Sequence, residues 1–488
     1  MIRLTWVQPE DLLGHEIRQA RLDGREPARI EARWKAAGGP DVPERAGASP
    51  EPVSRSLRLL AEDLLDELAD LPSASKADEP TKWPALTAAC PDWPARRGRT
   101  GVSPAALEAA WLGRAAGCLL GKPVEKLPLD GIRALAEAAG NRPLTTWFTA
   151  KGVPAELLVR HPWNRRSADT SLAENIDGMP EDDDLNYPLL GLLLLRRHGR
   201  AFTTDQVAAL WLDELPPGRT FTAERIAFRN LLSGIEPPRT ARYRNPFREW
   251  IGALFRALGH RSTPPGAPGP TPPPPPRTPS RSGARRAPPP PPHVHGWTHP
   301  GDPAAAAEQA YRDATLTHTG NGVYAAMFTA AVLAAAATGT HDVHACLRTG
   351  RTVVPARSRL AEALDHAVRL AHEHDDFDDV VDRLHARYDA THHWVHAVPN
   401  TALIAAALTH ADGDFTGSIC RAVSGGWDTD SNGATAGSVA GLLAGSPEAL
   451  PESWRAPLKN RLATTVADFD GTGFDTLAHL THLEATRP

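Results

Sequence analysis

The chain has 488 residues, of which 41% are hydrophobic and 23% charged, so it is long enough to bury a large core. Its net charge of -5 argues against a general nucleic-acid binder, which normally carries a basic face. Four cysteines show no CxxC spacing, which favours buried free thiols in a reducing compartment. No signal-peptide core and no strongly apolar run of membrane-spanning length is present, so we predict a cytoplasmic protein.

The first 103 residues divide into two predicted parts. Residues 1–72 form a small helical N-terminal module, because Pro9 and the acids after it are typical of a helix start and leucines recur at helical spacing. Residues 73–103 are rich in Pro, Ser and Arg and are predicted to be a linker.

From residue 104 to the end at 488, the pattern predicts long helices and almost no period-2 alternation, which indicates an all-α domain. Several of these helices carry Ala and Gly on every face, so we expect them to be packed closely at the centre of the domain. The predicted helices span 105–120, 185–197, 204–215, 223–232, 303–315, 322–338, 358–374, 376–388, 400–409, 416–424 and 432–444.

A low-complexity insertion interrupts this domain at residues 258–295. Proline cannot continue a helix and a proline run cannot form a core, so the segment is predicted to be an exposed polyproline or disordered insertion. A ligand for an SH3-type domain is the functional alternative. A tolerated surface insertion is favoured, since loops absorb extra length at small entropic cost.

Four consecutive acids, residues 181–184, stand directly before a predicted helix. Helix capping explains one or two of them, because acids at a helix N-terminus are favoured by its dipole. Four in a row repel one another unless a cation lies between them, and a hard divalent cation with oxygen ligands satisfies this need. The cluster therefore predicts part of a metal site.

A second acidic cluster combines Asp428, Asp430 and the hydroxyl of Ser431 at the start of another helix. It matches the first half of an EF-hand loop, but the twelfth position is Val439, where a bidentate Glu is required. The EF-hand interpretation fails on this residue. The two clusters, far apart in sequence, are predicted to meet in one site for one or two ions.

Histidines are abundant in the C-terminal half, but no zinc-type spacing of Cys and His occurs. His318 differs from the others because it precedes a helix of small residues whose N-terminus could hold a phosphate. A functional and a structural role for His318 are both left open by the sequence. No Walker loop, no GxGxxG motif before a helix and no GxSxG elbow is present.

With these residues in view, the chain resembles the ADP-ribosylglycohydrolase family, in particular bacterial members similar to the dinitrogenase-reductase-activating glycohydrolase. Four matching stretches occur in the family's order and span roughly residues 104–446. They are GRAAGCLLGKPVE at 113–125, PEDDD at 180–184, HTGN at 318–321 and GGWDTDS at 425–431.

The resemblance implies an all-α fold that binds two Mg²⁺ ions, or Mn²⁺, and hydrolyses ribosyl bonds to release ADP-ribose from a protein or small-molecule acceptor. It implies Glu125 or Asp183 as the base that takes the proton of the attacking water. The implied metal ligands are Glu181, Asp182, Asp183, Asp428, Asp430 and Ser431, and the implied substrate-binding residues are His318, Gly320 and Asn321.

The chain departs from the family's pattern near the insertion. Arg256 and Ala257 are followed by Leu258, where bacterial members usually continue with Asp. The segment that follows is either a lineage-specific loop or a stretch of coding sequence read in a shifted frame. Two alternative functions therefore stay open: a hydrolase of smaller N-ribosides such as nucleosides, and a non-catalytic ADP-ribose-binding protein.

Overall fold

The structure is a computed structural model that describes residues 3–43, 47–98, 100–256 and 295–487. The predicted insertion at 258–295 lies outside these residues except for its last position. The described part is built of helices, and its β-structure is limited to isolated bridges, so the all-α prediction is confirmed. No helix in these ranges is long and apolar enough to cross a membrane.

The α-helices are α1 (Pro9–Leu22), α2 (Ala28–Ala36), α3 (Arg55–Asp70), α4 (Trp83–Ala88), α5 (Pro104–Gly121), α6 (Leu129–Ala138), α7 (Ala155–Arg160), α8 (Ala168–Ser171), α9 (Asp183–His198), α10 (Thr204–Glu214), α11 (Thr222–Leu232), α12 (Gly252–Arg256), α13 (Pro303–Ala314), α14 (Gly320–Ala336), α15 (Val343–Arg351), α16 (Arg359–Glu373), α17 (Phe377–Tyr388), α18 (Ala397–His410), α19 (Phe415–Ser424), α20 (Thr429–Ala444), α21 (Glu452–Arg455) and α22 (Phe474–Thr486).

Helices α1, α2 and α3 lie within residues 1–72, and α3 contacts both of the others. Helix α1 begins at a proline, which suits the first helical position, and α3 begins after Ser54, whose hydroxyl accepts a bond from the Leu57 N–H at 3.2 Å. Helix α3 packs on α1, and its Leu64 and Leu68 are completely buried. This group docks on the rest of the chain through buried charged side chains described below.

Residues 73–98, most of the predicted linker, lie against the larger domain. They include a short 3₁₀-helix, Ser75–Ala77, and helix α4. Leu86 is completely buried, and the carbonyl of Pro80 accepts a bond from the Tyr324 hydroxyl at 2.6 Å. Glu79 pairs with Arg359 at 2.6 Å. The segment is thus ordered by contacts rather than by a core of its own.

Helices α5 and α20 pack against each other along their length at the centre of the domain. Small residues make this close approach possible: the Cβ of an alanine at Gly117 would lie 1.9 Å from the carbonyl oxygen of Gly433. Helices α14 and α18 are likewise buried on every side, as their Ala-rich sequences predict. The packing brings the C-terminal end of α5 beside the N-terminal end of α20, where the acidic residues lie.

Candidate metal centre

Each acidic cluster stands at the beginning of a buried helix. Asp182 is the N-cap of α9, and its carboxylate accepts a bond from the Asp184 N–H at 2.9 Å. Asp428 is the N-cap of α20, and its N–H donates to the side-chain oxygen of Asn400 at 3.2 Å. Because helix N-termini carry partial positive charge, both positions tolerate carboxylates that are buried.

The residue before Asp428 sets the direction of the chain into α20. Trp427 has a φ of 58°, in the left-handed region that non-glycine residues seldom adopt. Its indole N–H donates to Asp389 at 2.9 Å, and its ring stacks on His385 with centroids 4.3 Å apart. These contacts hold a strained backbone in place beside the site.

The structure brings the predicted carboxylates together in two adjoining groups. In one, ligand atoms of Glu125, Asp428 and Asp430 all lie within 4.8 Å of one another. In the other, atoms of Cys118, Asp182 and Asp184 do so. Ser431, in the first turn of α20, lies beside Asp184 of α9 and lowers the pKa of its carboxyl group.

All three carboxylates of the first group, and Asp182 of the second, line one cavity of 530 Å³, within the size range of small-molecule sites. Asp183 and Ser431 also line it. The other walls combine aromatic and cationic side chains with a few other residues. The lining includes Trp6, Lys122, Lys126, Asn164, Arg166, Arg219, Phe221, Glu224, Trp250, Ile251 and Trp394.

Glu125 follows a 3₁₀-turn, Lys122–Val124, at the end of α5. Its carboxylate accepts a bond from the side-chain amide of Asn164 at 2.6 Å and pairs with Lys126 at 2.7 Å. Glu125 thus lines the cavity with its carboxylate beside Asp428 and Asp430, and its role as the base stays a prediction. Asn164 and Lys126 are orienting residues that the sequence did not indicate.

The electrostatics of the site demand positive charge. Burial, reinforced by neighbouring carboxylates, raises the pKa of Asp183, Asp428 and Asp430 well above the usual range. The same causes raise the pKa of Asp184 to about 7. Carboxylates crowded in this way either hold protons or share a cation, and a bound cation removes the repulsion that raises these pKa values.

Among the described residues, three cationic side chains form ion pairs with carboxylates of the site. The carboxylates number six: Glu125, Asp182, Asp183, Asp184, Asp428 and Asp430. Arg114 pairs with Asp184 at 3.0 Å, Lys122 with Asp182, and Lys126 with Glu125. Although burial disfavours the ammonium of Lys122, the charge of Asp182 raises its pKa above the ordinary value, so this lysine stays charged. Three negative charges are left, which one or two divalent ions would balance.

The donor set fits a hard cation. Oxygen atoms predominate, and burial raises the pKa of the Cys118 thiol well above its normal value, so this sulfur is neutral and a poor ligand. Mg²⁺ and Mn²⁺ prefer such carboxylate and hydroxyl oxygens. The residues that could hold metal are therefore Asp182, Asp183, Asp428, Asp430 and Glu125, with Asp184 and Ser431 beside them.

Two sets of predicted site residues lie outside the two carboxylate groups. Glu181 lines the cavity but stands outside both carboxylate groups, since its oxygens accept bonds from Asn186 at 2.9 Å and Thr465 at 3.3 Å and pair with Arg219 at 3.0 Å. A metal-ligand role for Glu181 is not supported by this arrangement. Asp184, for which the sequence predicted no role, belongs to the carboxylate group that contains Asp182.

The predicted substrate turn, residues 318–321, does not line the carboxylate cavity. His318 is completely buried and lies 3.9 Å from Glu224, and the Asn321 amide donates to Glu249 at 3.1 Å. Gly320 lines a different cavity and donates its N–H to the Thr81 hydroxyl at 3.1 Å. Contact of His318, Gly320 and Asn321 with substrate therefore stays a prediction.

Two cationic residues of the site escaped sequence analysis although a signal was present. Arg114, Cys118 and Lys122 are spaced four residues apart, which places Arg114 and Cys118 on one face of α5 and Lys122, its C-cap, in line with them. That face meets the acidic N-terminus of α9 in the structure. A row of polar residues along a largely apolar helix is the pattern that would have revealed these counter-charges.

An all-α domain with a cavity walled by carboxylates from two buried helix N-termini defines a candidate metal-dependent enzyme. Comparison with known families narrows this class. The ADP-ribosylglycohydrolase family matches residues 105–486, most of the chain, and the protein belongs to that family. No curated protein matches the sequence.

Proposed function

We propose that the protein is a Mg²⁺-dependent hydrolase that cleaves the ribosyl bond of ADP-ribosylated proteins or small molecules and releases ADP-ribose. Family membership supports hydrolysis of a glycosidic bond in an ADP-ribosylated substrate. The observation that carries the proposal is one 530 Å³ cavity lined by carboxylates from both helix N-termini, namely Asp182 and Asp183 at α9 and Asp428 and Asp430 at α20. The four motifs, in their order, support a place among bacterial members similar to the dinitrogenase-reductase-activating enzyme.

Cleavage of a ribosyl bond passes through an oxocarbenium-like state at the anomeric carbon, which needs an activated water and an oriented ribose. A bound Mg²⁺ or Mn²⁺ supplies a Lewis acid that lowers the pKa of water and orients ribose hydroxyls. Asp182, Asp183, Asp428 and Asp430 would hold it. These carboxylates lie on rigid helix ends, so they are fixed before substrate binds.

Glu125 is the favoured base for the proton of the attacking water. Asn164 and Lys126 hold one oxygen each, which fixes the direction of the carboxylate, while the group stays at the edge of the cavity. Asp183 is the second candidate, because it lines the same cavity. General-base catalysis of this kind contributes roughly 10²–10⁴-fold to the rate.

The remaining walls suit the rest of the substrate. Arg166 is exposed at the cavity and can approach a diphosphate, whereas Arg219 is already paired with Glu181. Trp394 and Trp250 supply apolar surface.

Four buried cysteines without disulfides support a reducing, cytoplasmic location for the protein.

A release assay tests the proposal. The full chain is incubated with ADP-ribosyl-arginine, ADP-ribosyl-serine and simple nucleosides, each with Mg²⁺ and with a chelator, and free ADP-ribose or base is quantified by chromatography. We expect ADP-ribose from at least one ADP-ribosyl substrate, loss with the chelator and recovery with added Mg²⁺. Turnover of nucleosides alone would support the N-riboside alternative, and no turnover with intact Mg²⁺ binding would support a non-catalytic binder.

A further inference from the structure

The N-terminal module is fixed to the larger domain by buried charged and polar side chains. Arg248 pairs with Glu16 at 2.6 Å and with Asp23 at 2.8 Å, and Gln19 donates to Glu249 at 2.9 Å. All five residues are buried. Because separating such pairs would leave uncompensated charges, the module is a permanent part of the molecule rather than a mobile attachment.

Within this module, the segment before α1 is held in one conformation. The backbone N–H of Trp6 donates to the carbonyl of Gly47 at 2.6 Å. The φ of Trp6, 63°, is unusual for a non-glycine residue. Arg225 on α11 donates to the carbonyl of Thr5 at 3.0 Å and to its hydroxyl at 2.7 Å. These hydrogen bonds fix the backbone at Thr5 and Trp6.

The indole of Trp6 rests on an aromatic cluster. Its centroid lies 5.6 Å from Phe247 and 5.8 Å from Trp250, both in edge-on geometry, and 5.9 Å from His15. Such arrangements are favourable for aromatic pairs. Trp6 is only 8% exposed, so the small free surface that remains belongs to the wall of a cavity.

That cavity is the one that holds the carboxylate groups. Trp6, Phe221, Trp250 and Trp394 form aromatic parts of its wall, and the carboxylates form its polar part. Trp6 stands apart from the others because it precedes residues 105–486, which match the family. A segment outside the family domain thus completes the site.

We propose that Trp6 is a specificity-determining residue that contacts the planar base of a nucleotide-type ribosyl substrate, so that the N-terminal module is part of the active site. This inference rests on the proposed function. The carboxylates bind the ribose side of the substrate, and the aromatic wall takes its planar end. Contacts between a base and an aromatic side chain form with any of the bases and are strong enough to determine affinity.

Calorimetric titration of Trp6 variants tests this inference, with ADP-ribose and ribose 5-phosphate as ligands in the presence of Mg²⁺. We expect Trp6→Leu to weaken ADP-ribose binding about tenfold. Binding of ribose 5-phosphate, which lacks the base, should not change. Trp6→Phe should restore most of the affinity because it keeps an aromatic face. The matched control is Trp34→Leu, since Trp34 is buried in the same module, with its N–H on Pro40, and does not line the cavity.

A second measurement needs no variant. An ADP-ribose analogue with an aryl azide on the base is irradiated with the wild-type protein, and the labelled tryptic peptides are mapped. Label on the peptide 4–18, which contains Trp6, supports the inference, and label confined to peptides elsewhere overturns it. This experiment decides the question even if Trp6→Leu does not fold.

The outcomes separate the two proposals. Wild-type protein that binds ADP-ribose, together with a Trp6→Leu variant of equal affinity and intact Mg²⁺ binding, overturns the role of Trp6 and leaves the proposed function standing. Equal weakening by Trp6→Leu and Trp34→Leu also overturns it, because the effect would then come from the fold of the module. Wild-type protein that neither binds ADP-ribose nor passes the release assay refutes both proposals.

Discussion

A single added methyl group at Gly117 tests how the packing of α5 on α20 supports the metal centre. In Gly117→Ala the new Cβ would lie 1.9 Å from the Gly433 carbonyl oxygen, whereas real Cβ atoms keep at least 3.0 Å. The helices must therefore separate locally by about 1.1 Å, and backbone atoms on both sides leave no side chain that could rotate away. Overpacking of this kind costs about 3 kcal/mol, while alanine returns ~1 kcal/mol of helix propensity. We expect a net loss of about 2 kcal/mol in the free energy of unfolding.

Chemical denaturation measures this loss, and calorimetry with Mg²⁺ measures its consequence for the site. Because α5 leads to Glu125 and α20 begins at Asp428, separation of the helices should also weaken metal binding. The control is Gly101→Ala, at a glycine with ordinary φ and no atom within 4 Å of an added Cβ, and it should change stability by less than ~0.5 kcal/mol. A Gly117→Ala protein as stable as wild type, with unchanged Mg²⁺ affinity, would refute the close packing of these helices.

Three further predictions concern ionisable side chains. His15 has no hydrogen-bond partner at either ring nitrogen, and burial together with His393 and Arg18 lowers its pKa well below 6.5. The unfolded chain therefore takes up a proton below pH 6.5 that the folded chain does not, and stability is lost as the pH falls. The stability advantage of His15→Phe over wild type should grow by about 1.4 kcal/mol per pH unit from pH 6 downward, measured by denaturation at several pH values; a constant difference would contradict this. Arg114→Leu leaves the Asp184 carboxylate buried without its partner and should cost about 3 kcal/mol in the same assay, and a neutral effect would contradict the ion pair. Glu125→Gln should lower kcat in the release assay by about 100-fold or more, and an unchanged kcat would exclude Glu125 as the base.

Sequence patterns located most of the helices because local signals mark their ends. The helix predicted at 105–120 is observed as Pro104–Gly121, where a proline begins it, and the one predicted at 185–197 is observed as Asp183–His198. The helix predicted at 432–444 begins earlier, at Thr429, because its first turn consists of polar residues that periodicity does not register. Val343–Arg351 was not predicted, although its N-cap Asp342 is a recognisable start signal.

The acidic residues of the site were visible in the sequence because carboxylates at such density have few structural explanations. Their partners were not visible. Glu181 and Asp184 are neighbours in sequence, but only the turn into α9 decides that Asp184 faces Arg114 while Glu181 faces Arg219. The docking of Glu16 on Arg248 joins residues 232 positions apart, and no local pattern encodes such a buried pair. Trp6 lines the cavity because the N-terminal module docks on the larger domain through such contacts.

Titration of the protein with Mg²⁺ by calorimetry tests the central claim most directly, namely that the carboxylates at the beginnings of α9 and α20 form one metal centre. Wild-type protein should bind Mg²⁺, and Asp430→Asn should abolish that binding. Asp379→Asn, at an exposed residue of α17, should leave it unchanged. Absence of Mg²⁺ and Mn²⁺ binding in wild type, or equal affinity in wild type and Asp430→Asn, would contradict the account.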